Sequence, residues 1–269
     1  MNYTMYMEDR LKSPVTFSLK QTISNGFSHF GNNAGAYVGY TFVYGLIILV
    51  ASGIGSAIPL NIGGYIVKIM LSNALVMGYA LYCHNYVVNQ TTDFGIFFSA
   101  FRTNYTQLVV ANGALMLILG IASALLILPY SQEIVVSYEA VINRTMDPED
   151  FFEELTAIFS AHAGAIIGYF VIATVIQILY LLTNYFIVFF DFGFWEALEA
   201  SRILMSKVFF KAILLFVIMS LILILGSIVT LGLGAIILYP AIMLMTYSLF
   251  EQIAVFNHTE PAIEDELIV

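Results

Sequence analysis

Charged side chains are scarce in this chain: Asp, Glu, Lys and Arg make up 10% of its 269 residues, against roughly 25% in ordinary soluble domains. No charge lies between Asn33 and Lys68, between Thr103 and Gln132, or between Lys211 and Phe250. Each gap exceeds the roughly 20 residues that carry a helix across a hydrocarbon core. Cysteine is nearly absent too. Cys83 is the only one, which excludes an intrachain disulfide and a CxxC metal site. His29, His84, His162 and His258 stand singly, with no HExxH pair, so no metal, cofactor or catalytic group is expected from spacing. Only a convergence of histidines from neighbouring helices would change that. Basic residues are outnumbered, leaving a net charge of -9, which argues against nucleic acid or anionic headgroups as the main partner. The first 30 residues carry no apolar core of signal-peptide type, so no cleaved leader is expected.

What the chain has is apolar surface, 60% of its residues. Runs such as Ile213 to Ile228 are continuous and lack the alternation of membrane barrel strands. The expected fold is therefore all-α and integral to a membrane. Six transmembrane helices are expected over about 34–58, 63–88, 107–129, 163–190, 207–231 and 232–256. They pair as three antiparallel hairpins.

An amphipathic interfacial helix is expected ahead of each hairpin, over about 14–30, 93–105 and 191–206. In the first, Val15, Leu19, Ile23, Phe27 and Phe30 recur at helical spacing, with Thr16, Lys20 and Ser24 on another face. It either lies on the membrane surface or packs against other helices. The second puts Phe94, Phe97, Phe98, Phe101 and Tyr105 on one face, as anchors in the acyl boundary. The third opposes Glu196, Glu199, Arg202 and Ser206 to Phe194, Trp195, Leu198 and Met205. Phe194 and Trp195 are read as anchors there, because Trp favours membrane interfaces. Residues 1–12 are expected to be loose and 258–269 to form an acidic tail. The acidic stretch 130–161 is read as an extracytoplasmic loop, with a helix starting at Asp147 and Pro148. Residues 13–257 then form one membrane domain.

Lys and Arg set the orientation. With six spans, Arg10, Lys12, Lys20, Arg102, Arg202, Lys207 and Lys211 share the side of both termini, opposite Arg144 and Lys68. Both termini are thus expected in the cytoplasm of a prokaryotic cell. Asp93, Phe94, Gly95 and Asp191, Phe192, Gly193 each follow an Asn-Tyr pair, which suggests an internal repeat. A kinase metal motif would also read Asp-Phe-Gly, but the glycine-rich loop, strand lysine and catalytic loop that accompany it are missing. Asp is instead expected to cap a helix, with Phe as the anchor.

The segment Phe194, Trp195, Glu196, Ala197, Leu198, Glu199, Ala200, Ser201, followed by a span and then Gly226, Leu231, Gly232, Gly234 and Pro240, resembles a broad group of bacterial membrane proteins. They are similar to the membrane domain attached to some glycerophosphodiester phosphodiesterases. The resemblance implies a six-helix membrane domain of unassigned function. It does not bring the phosphodiesterase activity, which resides in a separate soluble barrel in those fusions.

Polar residues inside the expected spans are the candidate site. Lys68 and Glu251 are intramembrane charges, costing roughly 2.5 to 3.5 kcal/mol near a helix centre. Lys68 either snorkels to the outer surface, pairs with a loop carboxylate such as Glu133, or serves a substrate or ion. Asn73, Asn112, Gln177 and Asn184 fit interhelical hydrogen bonds or the lining of a polar cavity. The pairs Gly35 with Gly39 and Gly164 with Gly168 are expected to let helices approach closely, within this chain or between copies. The function expected is a non-enzymatic membrane scaffold or accessory subunit. The alternative is a transporter of a small solute or lipid. Expected partners are the lipid bilayer and another membrane protein or a second copy, with no nucleic acid.

Overall fold

The computed structural model describes residues 3–56, 62–90, 93–127, 131–143 and 147–254. Among these, regular structure is helical throughout. In chain order the helices are α1 (Tyr3–Lys12), α2 (Leu19–Asn32), α3 (Ala34–Ser56), α4 (Ile62–Asn89), a 3-10 segment (Phe94–Phe101), α5 (Tyr105–Ile127), α6 (Ser131–Ile142) and α7 (Pro148–Ala161). They continue as α8 (Ala163–Leu179), α9 (Thr183–Phe190), α10 (Phe194–Lys207), α11 (Phe209–Val229) and α12 (Leu233–Ala254). The expected tail over 258–269 falls outside the described residues.

Five helical stretches are long and apolar enough to cross a membrane: Ala34–Gly53, Tyr105–Leu125, Ala163–Phe190, Phe209–Val229 and Leu233–Ala254. Their outer faces are bare, with Leu49 70%, Leu125 73% and Ile228 66% exposed. Contiguous apolar surface of this kind is foreign to a protein surrounded by water. The remaining expected span, over 63–88, corresponds to α4, which is not among the five. From Ala74 to Asn85 its residues are buried in protein at nearly every position, and Tyr79, Tyr82, Cys83, His84 and Asn85 give that stretch a polar content.

Two compact units divide the chain, one combining the residues up to Gly113 with those from Ile178 onward, the other running from Ala114 to Gln177. In the larger unit the C-terminal half of α12 is the axis, buried almost continuously from Pro240 to Ala254. Helix α2 runs antiparallel along it: the Ser18 amide donates to Gln252 Oε1 at 2.9 Å, and Gln252 Nε2 donates to Thr22 Oγ1 at 2.9 Å. Farther along, Gly26 lies so close to Met245 that a Cβ there would stand 2.8 Å from the Met245 backbone nitrogen. The segment expected to lie on a membrane surface is thus packed on protein. The reason is which face is buried: Thr22 and Gly26, small residues that allow close approach, while Phe27 stays 40% exposed. Gly35, Gly39, Gly164 and Gly168, expected at such approaches, face open space among the described residues.

The second expected interfacial helix also departs from its reading. Asp93 caps it by accepting from the Gly95 amide at 2.9 Å, but the segment winds as a 3-10 helix, and Phe97 is wholly buried. Its ring lies between Tyr40 and Tyr82, with centroids 4.1 Å and 4.2 Å away and nearly parallel planes. Gly78 of α4 makes room: a Cβ there would meet the Phe97 carbonyl oxygen at 2.3 Å. Phe97 is therefore a core plug rather than a membrane anchor. Phe98 and Phe101 pack partly against the same core, leaving Phe94 as the exposed member at 40%.

In α10 the buried face is Ala197, Leu198, Ala200, Ser201, Leu204 and Met205. Trp195, 69% exposed, shares the outer face with Glu199, Arg202 and Ser206, four and seven and eleven residues on, rather than opposing them. Phe194 packs partly against the core. The second Asp-Phe-Gly differs from the first, since Asp191 ends α9 in a left-handed conformation with φ 56° instead of capping α10. There the Gly193 amide donates to Glu196 Oε2 at 3.1 Å.

Residues 3–12, expected to be loose, form α1. Tyr6 and Met7 are each 5% exposed, and Tyr6 packs edge-on against Phe186 and Phe192. The Tyr3 hydroxyl donates to Glu199 Oε2 at 2.8 Å. Burial first, and then that carboxylate, push its pKa up to about 12.

In the smaller unit the stretch read as an acidic loop holds two helices, α6, which was not expected, and α7, which was. Helices α6 and α7 pack together, with Ile158 8% and Ser137 1% exposed. His162 Nε2 lies 3.1 Å from Glu133 Oε2, tying the end of α7 to the start of α6. As the sequence indicates, α7 starts at Pro148 behind Asp147. Pro costs nothing at that position, and Glu149 and Asp150 face the positive helix end.

Candidate functional site

The structure distributes the expected cavity residues over separate contacts. Asn73 Nδ2 donates to Asn184 Oδ1 at 3.3 Å, joining α4 to α9. Asn112 Nδ2 donates to the Ile69 carbonyl at 3.0 Å and lies 3.4 Å from Ser72 Oγ, joining α5 to α4. Gln177 is exposed on α8 in the other unit. Lys68 falls on α4, with its side chain outside the described residues. Among the described side chains of this set, only Asn73 and Asn184 meet. Such side-chain bonds stabilise helix contacts by around 0.6 kcal/mol each and leave the amides occupied.

Glu251 belongs to a different group. Its Oε2 stands 4.0 Å from His29 Nε2 of α2, with the two side chains 12% and 17% exposed. One turn earlier on α12, the Tyr247 hydroxyl lies 3.1 Å from His84 Nδ1 of α4. Tyr247 and His84 are wholly buried, and the Phe189 ring packs edge-on against His84. Three helices thereby bring two imidazoles, a phenol and a carboxylate to the C-terminal half of α12. Such a row can pass or hold a proton. Among the described residues no three His, Cys, Asp or Glu side chains gather closely enough to hold a metal ion.

The sequence reading named Glu251 but not its partners. Tyr247, Ser248, Glu251 and Gln252 form a polar stripe on α12 at helical spacing, and that much is visible in the sequence. His29 and His84 are remote in sequence and carry no local motif.

A second unexpected feature is a break in the stretch Ala163–Phe190, where α8 stops at Leu179 and α9 begins at Thr183. Ser201 of α10 holds it, its hydroxyl donating to the Leu179 carbonyl at 2.9 Å and accepting from the Leu182 amide at 3.1 Å. Backbone groups freed inside a membrane need such a partner. Beside the break, Thr183 Oγ1 is buried with no hydrogen-bond partner.

Comparison with known proteins assigns no family: no family model matches the chain, and neither a curated protein nor a solved structure does so.

Proposed function

We propose that this is a multi-pass integral membrane protein that serves as a scaffold or accessory subunit and carries out no chemistry of its own. In this reading α4 joins the five long apolar stretches as a sixth span, protected from lipid by its neighbours. Both termini then lie on the cytoplasmic face of a prokaryotic membrane, where Arg10, Lys12, Lys20, Arg202, Lys207 and Lys211 meet the positive-inside preference. The observation that supports the scaffold over a carrier is the pairing of Asn73 with Asn184 and of Asn112 with Ile69, which uses the polar groups to fasten helices. Trp195, Phe94 and Phe210 are among the exposed large apolar residues that such a partner could contact.

A proton-linked transporter is the second reading, favoured by the row His84, Tyr247, Glu251, His29 and by the broken helix, a feature of many carriers. One experiment separates the two. Membranes holding the wild-type chain, Trp195→Asp or Glu251→Gln are crosslinked and purified, and the same proteins are reconstituted for solute uptake. The scaffold predicts a protein partner at fixed stoichiometry, lost in Trp195→Asp and kept in Glu251→Gln. Uptake by the wild type that Glu251→Gln abolishes would overturn it.

A further inference from the structure

Arg10 is a buried cation in want of an anion. It is 6% exposed, its Nη2 donates to the Ile253 carbonyl at 2.6 Å, and its Nε has no hydrogen-bond partner. The two ion pairs among the described residues both use a histidine, so no described carboxylate neutralises it. Enclosed charges are ordinarily paired, because leaving one alone is costly. The negative end of α12 supplies only a fraction of a charge. Two exposed lysines stand on the adjoining elements. Lys207 Nζ donates to the carbonyl of Arg10 itself at 3.3 Å, and Lys211 Nζ donates to the Phe17 carbonyl at 2.9 Å and approaches Thr16 Oγ1 at 3.4 Å. Between them in sequence Phe210 is 85% exposed, at the start of an apolar helix long enough to cross a membrane. The exposed carboxylates nearest in sequence are Glu8 and Asp9.

We infer that this edge binds the phosphate of an anionic phospholipid headgroup. Lys207 and Lys211 hold phosphate oxygens, Arg10 supplies fixed positive charge behind them, and Phe210 lies along the acyl chains. The inference rests on the membrane reading above. The overall charge of -9 hides the site, because most of the acidic residues, Glu8 and Asp9 apart, lie in other segments of the chain. Two other anions share the chemistry: free phosphate, and the carboxylates Glu260, Glu264, Asp265 and Glu266 that follow α12 in the chain.

The test uses the purified full-length protein in a nonionic detergent, with bound lipid counted by native mass spectrometry. Short-chain phosphatidylglycerol, phosphatidylcholine of equal chain length, and inorganic phosphate are titrated. The wild type should prefer phosphatidylglycerol, and Lys207→Gln with Lys211→Gln should weaken that binding about 30-fold at unchanged helix content. Lys211→Arg should retain it. If the double variant fails to fold, Lys211→Gln alone should show about a fivefold loss against Lys211→Arg. Equal affinity for the two lipids, or a preference that survives both glutamines, overturns the inference. Competition by phosphate as strong as by phosphatidylglycerol assigns a free-anion site and overturns it. So does a large gain of lipid affinity when residues 258–269 are removed, which makes the tail the occupant. Failure of the membrane reading shows separately, as protein recovered from cells without detergent.

Discussion

Phe97→Ala should be the most damaging single truncation in the chain, lowering the free energy of unfolding by about 3–5 kcal/mol. The ring fills the space between Tyr40 and Tyr82, and Tyr37 and Tyr79 close it edge-on. Alanine would leave a cavity walled by four tyrosines. Two of those rings are already tied to other groups, since Tyr40 donates to the Leu75 carbonyl and Tyr79 bonds to Thr41, so they cannot collapse into the gap without breaking hydrogen bonds. Phe94→Ala, a few residues earlier and 40% exposed, is the control and should cost far less. Denaturant unfolding in micelles, followed by helical circular dichroism, checks both. If Phe97→Ala and Phe94→Ala prove equally stable, the segment is a surface anchor after all.

The second large effect is expected at Gly26. A valine there places carbon where the Met245 side chain, backbone nitrogen and Cα lie at 2.3, 2.8 and 2.9 Å from an ideal Cβ. The side chain can rotate away, but the backbone cannot. Relief requires moving α2 off α12, which strains the bonds from Gln252 to Ser18 and Thr22. Overpacking usually costs about 1–3 kcal/mol, and a clash with helix backbone belongs at or above the upper end. Gly26→Val should therefore lower the thermal midpoint sharply and Gly26→Ala should do so by less. Gly35→Val, with open space around it, should leave it nearly unchanged. A Gly26→Val protein as stable as wild type would mean that the two helices do not touch there.

Helix positions were legible in the sequence where charge is absent. The expected spans over 107–129, 207–231 and 232–256 correspond to Tyr105–Ile127, Phe209–Val229 and Leu233–Ala254. What periodicity could not give is the face each helix buries. In water an apolar face identifies the core, but beside lipid the apolar face can point outward while small and polar residues pack. In α2, Thr22 and Gly26 are buried, Leu19, Ile23 and Phe30 pack partly against the core and Phe27 is exposed, while in α10 Trp195 lies outside with Arg202. Phe97 and Phe94 have the same residue type on the same short segment, and only the tertiary partners Tyr40 and Tyr82 separate their roles. The same limit hid the site. Tyr247 and Glu251 are a helical pair on one strip of α12, yet the imidazoles that complete it come from α2 and α4, far away in the chain.

The central claim is that apolar helices carry this chain through a bilayer, with α11, Phe209–Val229, proposed to run from one face to the other. Single-cysteine variants with Cys83→Ser as background test it directly, using a membrane-impermeant maleimide on intact cells before and after permeabilisation. Under the proposed orientation Thr230→Cys, at the far end of α11, should be labelled on intact cells, and Ser206→Cys, before its start, only after the membrane is opened. Labelling of both from the same side would contradict the account.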